Sequence, residues 1–284
     1  MFSMSFENKN GAILKLGDGT PYTVKEFTGL NPPKATINVN ESALVDGGTF
    51  NSSKLNCRQL NIAIAVEEAA EDNRLAFYKV VQSKMPLRIY YRSDRLDVFL
   101  DGYVEEVDVS YFAKKNVITL SVICPFPYMK VANAVISDFT DAMSLFHFPF
   151  SSTEEPQLVF GEMFDFVGAR VENAGNVPCG LTFKLYATGT ITNPMVMDRM
   201  SGEYFQINRT MYEGDLITVE TTQGYKKVSL MRDGDTYNIF NDWDPLSTWL
   251  QLDVAGNTFV YSISSGSMSD LVVEIEHYDL FEGV

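Results

Sequence analysis

Gln59-Leu60-Asn61-Ile62-Ala63-Ile64-Ala65-Val66 places aliphatic side chains at every second position, and Glu67-Glu68-Ala69-Ala70 follows at once. A period of two is that of a strand with one buried face. From Glu67 the period changes. Ala69, Ala70, Ala76, Phe77, Val80 and Val81 fall on one arc at ~3.6 residues per turn, which predicts a helix over Glu67–Met85. Glu67, Glu68, Glu71 and Asp72 open it and Lys79 and Lys84 close it, as the helix dipole favours. Pro86 then ends it. Phe77, Val80 and Val81 are the residues expected to pack it on a sheet.

On either side the chain reads as short strands with turn punctuation. Gly17-Asp18-Gly19-Thr20-Pro21 separates Ala12–Leu16 from Tyr22–Phe27, Asn31-Pro32-Pro33 precedes Ala35–Asn40, and Asp46-Gly47-Gly48 is a further tight turn. After Pro86, strands are expected at Leu87–Arg92, Leu96–Asp101, Tyr103–Val109 and Val117–Cys124. Beyond Val171 the pattern is all β, with strands over Leu181–Ala187, Tyr204–Ile207, Leu216–Glu220, Lys226–Leu230, Thr258–Ile263 and Leu271–His277. Turns between them recur at sandwich spacing. The fold class is therefore mainly β: an α+β first domain with one main helix, then a β-sandwich. The expected domains are residues 1–135, a connector with the first strand or strands of the second domain over 136–170, and the sandwich over 171–284.

Of the 284 residues, 45% are hydrophobic and 21% charged, enough apolar material for a core in each half. No run of 18 apolar residues occurs, so no membrane-spanning helix is expected. Met1-Phe2-Ser3-Met4-Ser5-Phe6-Glu7 lacks the basic and apolar regions of a signal peptide, which predicts a protein made and kept in a cytoplasm. Cys57, Cys124 and Cys179 are odd in number and far apart, the pattern of reduced, buried thiols. Charge is unevenly placed. Residues 1–135 hold fifteen Lys and Arg against fifteen Asp and Glu, and residues 136–284 hold seven against twenty-two, a net −15. Such a step marks two surfaces with different duties, and the acidic half argues against nucleic-acid binding.

Residue types able to carry chemistry are sparse. His147 and His277 are the only histidines, and His277 in Glu274-Ile275-Glu276-His277-Tyr278 reads as a sheet-surface residue. No nucleophile elbow, phosphate loop or zincin motif occurs. No catalytic residue, cofactor or metal is therefore expected. Asp233-Gly234-Asp235 and Asp242-Trp243-Asp244 are chemically suited to Ca²⁺ but do not match an EF-hand loop, and solvated turns are the favoured reading. Tyr237, Phe240, Trp243 and Trp249 cluster near one end of the sandwich, and exposed rings can stack on sugars. Tyr237, Asp242, Trp243 and Asp244 are therefore the candidate sugar or partner contacts. Core packing is the favoured reading for Trp249, while for Trp243 the two readings stay balanced. Arg74, Lys79, Lys84, Arg88, Arg92 and Arg95 make a basic stretch that reads as a solvated face, or as a contact for acidic neighbours in an assembly.

In order along the chain stand Leu16-Gly17-Asp18-Gly19, Thr28-Gly29-Leu30-Asn31-Pro32, Val45-Asp46-Gly47, Cys57-Arg58-Gln59-Leu60-Asn61-Ile62, the helix, and Cys124-Pro125-Phe126-Pro127-Tyr128. This series resembles the N-terminal domain of siphophage distal tail proteins, the baseplate hub proteins of long non-contractile tails. Asn173-Ala174-Gly175-Asn176, Thr192-Asn193-Pro194, Met200-Ser201-Gly202, Glu213-Gly214-Asp215-Leu216-Ile217, Ser247-Thr248-Trp249 and Ala255-Gly256-Asn257 are similar to the family's C-terminal domain. The resemblance covers nearly the whole chain and is weakest over 131–170. It implies a split-barrel-like first domain that closes a homo-hexameric ring around the tail channel, and galectin-like sandwiches projecting outward. It also implies a structural virion protein of a phage or prophage tail tip, assembled in the bacterial host cytoplasm. The implied partners are the tail tube protein, the tail-associated hub or tail fibre protein and receptor-binding proteins, with DNA passing through unbound. The alternative is a carbohydrate-binding or receptor-recognition protein of the tail tip.

Overall fold

In a computed structural model, which describes residues 2–41, 44, 46–110, 116–139 and 168–284, the chain forms two compact units. The first comprises Met1–Asn133 with Leu280–Val284, and the second Ala134–Asp279. Most of the expected connector, with His147, lies outside the described residues.

The first unit contains β1 (Ser3–Asn8), β2 (Ile13–Leu16), β3 (Tyr22–Thr28), β4 (Ala35–Glu41), β5 (Gly48–Leu55), β6 (Arg58–Val66), α1 (Ala70–Val80), β7 (Pro86–Arg92), β8 (Asp97–Val109), β9 (Asn116–Cys124) and β10 (Met129–Val131). The antiparallel order is β2-β1-β7-β8-β9-β6-β3, with β10 beside the first part of β8. The alternation on β6 holds: Leu60, Ile62 and Ile64 are fully buried while Gln59 and Asn61 face out. Across the sheet they meet Leu87, Ile89, Ile118, Leu120 and Val122 in one core.

The helix is shorter than its periodicity predicts. Ala69 takes a left-handed conformation (φ 38°), and Glu67 N–H still donates to Pro21 C=O at 3.1 Å, so the preceding strand holds the expected first turn. At the other end Val81 is extended, and Pro86 opens β7 instead of stopping the helix. Phe77 is completely buried, meeting Phe6 and Tyr22 at ring distances of 6.4 and 6.1 Å, and burying such a side chain contributes about 1.5–3 kcal/mol. Tyr22 Oη donates to Asn73 C=O at 2.7 Å and ties α1 to β3.

The two strands expected over Leu96–Asp101 and Tyr103–Val109 are one strand, β8. Gly102 lies inside it, where a Cβ would sit 2.5 Å from Val122 Cγ1. The glycine permits close strand packing and does not mark a turn. β5 was absent from the expected strands, because Asn51-Ser52-Ser53-Lys54 carries no apolar alternation.

The second unit contains β11 (Val135–Asp138), β12 (Gly168–Val171), β13 (Cys179–Ala187), β14 (Ile191–Thr192), β15 (Met195–Asp198), β16 (Tyr204–Gln206), β17 (Thr210–Met211), β18 (Leu216–Glu220), β19 (Lys227–Arg232), β20 (Asp235–Asn238), β21 (Gln251–Leu252), β22 (Asn257–Ser262) and β23 (Leu271–His277). One sheet runs β11-β23-β13-β18-β19-β20, with β21 also paired to β13, and a second runs β12-β22-β15-β16. Phe183 from the first sheet meets Phe205 and Phe259 from the second edge-on, at 5.0 and 5.6 Å, and all three are fully buried. This is a β-sandwich with an aromatic centre.

The chain then re-enters the first unit as β24 (Leu280–Phe281), which pairs with β10. The sequence pattern predicts the sandwich for these last residues, through 284. Two things hold them in the first unit: the Met129↔Phe281 ladder, and a bond from Val284 N–H to Leu30 C=O at 3.3 Å.

Candidate functional site

The Asp-Trp-Asp segment is set by a single 3-10 turn, Phe240–Asp242, behind the buried anchor Ile239. Trp243 bridges to Ile207. Its indole lies nearly parallel to Trp249 (4.1 Å, 9°) and to the buried Phe205 ring (5.4 Å, 15°). Trp249 in turn stacks on Phe240 (5.8 Å, 22°) beneath the Lys226 ammonium (5.0 Å). The rings form a ladder from the sandwich centre outward, ending at Phe240, which is 46% exposed. Both tryptophans are half-buried and spend their faces on other protein rings.

The flanking carboxylates are also engaged. Asp242 pairs with Arg209 at 2.6 Å, and Asp244 accepts from Leu246 N–H at 2.8 Å and from the Asn208 amide at 3.3 Å. Tyr237 lies on edge strand β20, half exposed and paired across to Leu230. The structure thus brings Trp243, Asp242 and Asp244 together as one packed corner. Asp233 and Gly234 both have positive φ (55° and 87°) and form the two-residue turn of the β19–β20 hairpin. Among the described residues no group of three or more His, Cys, Asp or Glu could hold a metal ion.

The basic stretch is dispersed. Arg88 and Arg92 face Asp101 and Asp97 across the β7–β8 ladder, at 2.6 and 3.6 Å, and Arg88 also lies 4.3 Å over the Phe99 ring. The hydrogen bond to Asp101 raises the Arg88 pKa further.

His277 is buried, contrary to the surface position expected of it. The alternation was right, but the face opposite Glu276 is the one that Leu271, Val273 and Ile275 turn to the core. Its Nε2 lies 3.3 Å from Asp279 Oδ1, too poorly aligned to count as a hydrogen bond, and among the described residues neither ring nitrogen has a hydrogen-bond partner. The thiols divide. Burial pushes Cys124 and Cys179 up to about 12, whereas Cys57 is exposed and departs from the expected buried set. Cys57 follows the outward end of β5, where no core residue requires it to turn in.

Two features escaped the sequence reading. Arg58 is 2% exposed, and its guanidinium donates to the carbonyls of Gly29 (2.5 Å), Asn31 (2.9 Å), Pro127 (2.7 Å) and Glu282 (2.5 Å). It shares the parity of Leu60, Ile62 and Ile64, which was the available signal. Gly29 makes the approach feasible, since a Cβ there would lie 2.2 Å from Gln59 C=O. The second feature is the β4–β5 hairpin, which pairs with no third strand among the described residues and exposes Ile37 (62%), Val39 (48%) and Phe50 (63%). Val39 and Phe50 are cross-strand partners, and their spacing was hidden by a bulge at Asn38/Val39.

Comparison with known proteins follows this architecture. Residues 174–277 match the model of the siphovirus-type tail component, C-terminal domain. The fold is similar to that of the phage SPP1 Dit (gp 19.1) protein, described as a hub of the adsorption apparatus in phages infecting Gram-positive bacteria. That match has a TM-score of 0.69 over 99% of both chains at 17% identity. Chains of the phage P2 baseplate in its activated conformation also match over 100% of both chains, with Ca (TM-score 0.56, 10% identity) and with Sr (TM-score 0.57, 11% identity). No curated protein matches the sequence significantly. Over residues 174–277 the chain is thus similar to the siphovirus-type tail component C-terminal domain, and over its whole length it has the fold of the SPP1 Dit protein.

Proposed function

We propose that the chain is a structural hub of a long non-contractile phage tail, closing a homo-hexameric ring through its first unit. It would link the tail tube to the tail-tip and receptor-binding components, take no part in a chemical step, and reside at the tail tip after assembly in the host cytoplasm. The likeness to a tail hub protein along 99% of the chain is the observation that carries the role. The ring rests on the β4–β5 hairpin. An isolated two-stranded hairpin is at best marginally stable in water, and its exposed Ile37, Val39 and Phe50 favour burial against a neighbouring copy. Such an arm reaching to a different patch on the next copy is a heterologous contact, the kind that closes rings. Charge agrees with the choice of unit. Six copies of a neutral first half can pack tightly, whereas six second halves at −15 each repel within the ~8 Å screening length of physiological salt.

Asp242, Trp243 and Asp244 then serve chiefly to hold the sandwich corner, since the indole faces and carboxylates already have partners, while Tyr237 stands apart, half exposed on β20. Native mass spectrometry of the full chain, alone and with its tail tube protein, tests the ring. Hexamers are expected for the wild type and monomers for Phe50→Asp. Hexamers that survive Phe50→Asp would remove the hairpin from the interface.

A further inference from the structure

On the outer face of the larger sheet, the outward residues of the strands β13, β18 and β23 change character at one end. Outward residues on β13, β18 and β23 are polar and mutually satisfied: Lys184 bonds Glu274 and Glu276 at 2.6 and 2.9 Å, and the Thr182 hydroxyl bonds Glu220 at 2.6 Å. That is how a face turned to water is expected to look. One register further along, the polarity stops. Val272 pairs with Tyr186, Tyr186 with Leu216, and Leu216 with Met231, so four neighbouring strands line up four apolar side chains on the outward face. Val272, Tyr186 and Met231 are each 43% exposed. With strands ~4.8 Å apart, the row is about 14 Å long. Directly opposite cross-strand neighbours form one continuous strip.

The rim of the strip has one sign. The turns at this end carry Glu213, Asp233 and Asp235, all exposed, and Asp270 precedes Val272 by two residues. Arg232, the residue after Met231, is engaged by the buried Asp215 and lies 4.9 Å over the Tyr212 ring. Lys184, on the other side of the strip, is held by its two glutamates. The unit as a whole holds seven basic against twenty-one acidic residues over Ala134–Asp279.

We propose that the Val272–Tyr186–Leu216–Met231 row is a docking face for a different polypeptide whose apolar contact residues are rimmed by lysine and arginine. An apolar centre with a polar, charge-complementary rim is the anatomy of a specific protein interface. Charge selects the occupant. A second copy applied through the same face would set Glu213, Asp233 and Asp235 against themselves. The inference concerns the second unit alone and stands apart from ring closure by the first.

The test uses the full-length chain and two synthetic peptides, one alternating lysine and leucine and one alternating glutamate and leucine. Affinity is measured by isothermal titration at near-physiological salt. The double variant Tyr186→Thr/Met231→Thr keeps every charge and places strand-favouring residues on the outer face. The lysine–leucine peptide is expected to bind the wild type and to lose at least tenfold in affinity for the double variant, while the glutamate–leucine peptide does not bind. A thermal midpoint matching the wild type verifies the fold of the double variant, and Val272→Thr replaces it if the midpoint falls. Equal affinity for wild type and variant would reduce the effect to net charge and overturn the proposal. So would failure of the lysine–leucine peptide to bind, or wild-type self-association that the variant abolishes.

Discussion

Replacing Arg58 probes the centre of the first unit. Its guanidinium is buried and is held by four carbonyls from three separate segments: Gly29 and Asn31, Pro127, and Glu282. Burial lowers its pKa, so the charge is costly to keep there. Arg58→Met fills similar space and relieves that desolvation, but it leaves up to four buried acceptors unpaired. Each orphaned carbonyl costs about 1–3 kcal/mol, against several kcal/mol recovered by removing a buried ion. Because four acceptors outnumber one charge, the net loss should be about 3–5 kcal/mol, a large share of the ~5–15 kcal/mol that holds a domain folded. Arg58→Lys keeps the charge with three donors on a flexible stem and should cost about half as much. Urea unfolding, followed by amide exchange on β6 and β9, reads the first unit separately from the sandwich. Carboxypeptidase digestion reads the C-terminus, which loses its Glu282 anchor and should be trimmed back to β24 in the variant. An Arg58→Met loss under about 1 kcal/mol with an undigested terminus would refute the reasoning.

Thiol chemistry should sort the cysteines: a maleimide at pH 7.5 is expected to label the exposed Cys57 within minutes, and Cys124 and Cys179, both pushed up to about 12, only after denaturation. Two or more labels on the native chain, found by intact-mass measurement, would contradict this. Arg232 holds the Asp215 carboxyl below its ordinary 3.8, so that pair's contribution to stability is whole above pH 3.8 and is lost as pH falls through the lower folded value. The stability gap between wild type and Arg232→Gln should therefore be widest at pH 5–8 and shrink in acid titration below about pH 3.8; a gap independent of pH would count against the pair. Trp243→Ala removes the middle of the ring ladder and should cost about 2–4 kcal/mol and abolish the near-ultraviolet dichroism of the stacked indoles, whereas an unchanged spectrum would mean that the rings do not stack in solution.

Period-two alternation made the main strands legible, because one face of β6, β13 or β23 is buried and the other is wet. The ends of α1 were not legible, since the helical arc continues through Ala69, whose backbone is left-handed, and Val81, whose backbone is extended. His277 and Arg58 show a shared difficulty. Both stand in phase with aliphatic neighbours, and residue type suggested a surface position that the parity denied. The candidate corner at Trp243 is legible from the closeness of Tyr237, Phe240, Trp243 and Trp249 along the chain. That its rings would stack on each other depends on Phe205 and Phe240, which come from different strands and turns and meet only in the fold. The exposed row on the outer sheet was invisible for the same reason, because its members are separated by 15 to 86 residues and are joined by register alone.

The central claim, a ring-forming tail hub, is tested most directly by cryo-electron microscopy of long-tailed particles produced from the genome that encodes this chain. The account predicts six copies in one ring at the distal end of the tail tube, with each β4–β5 hairpin on the neighbouring copy. Particles lacking the chain, copies repeated along the whole tube, or a distal ring in which the hairpins touch no neighbour would contradict it.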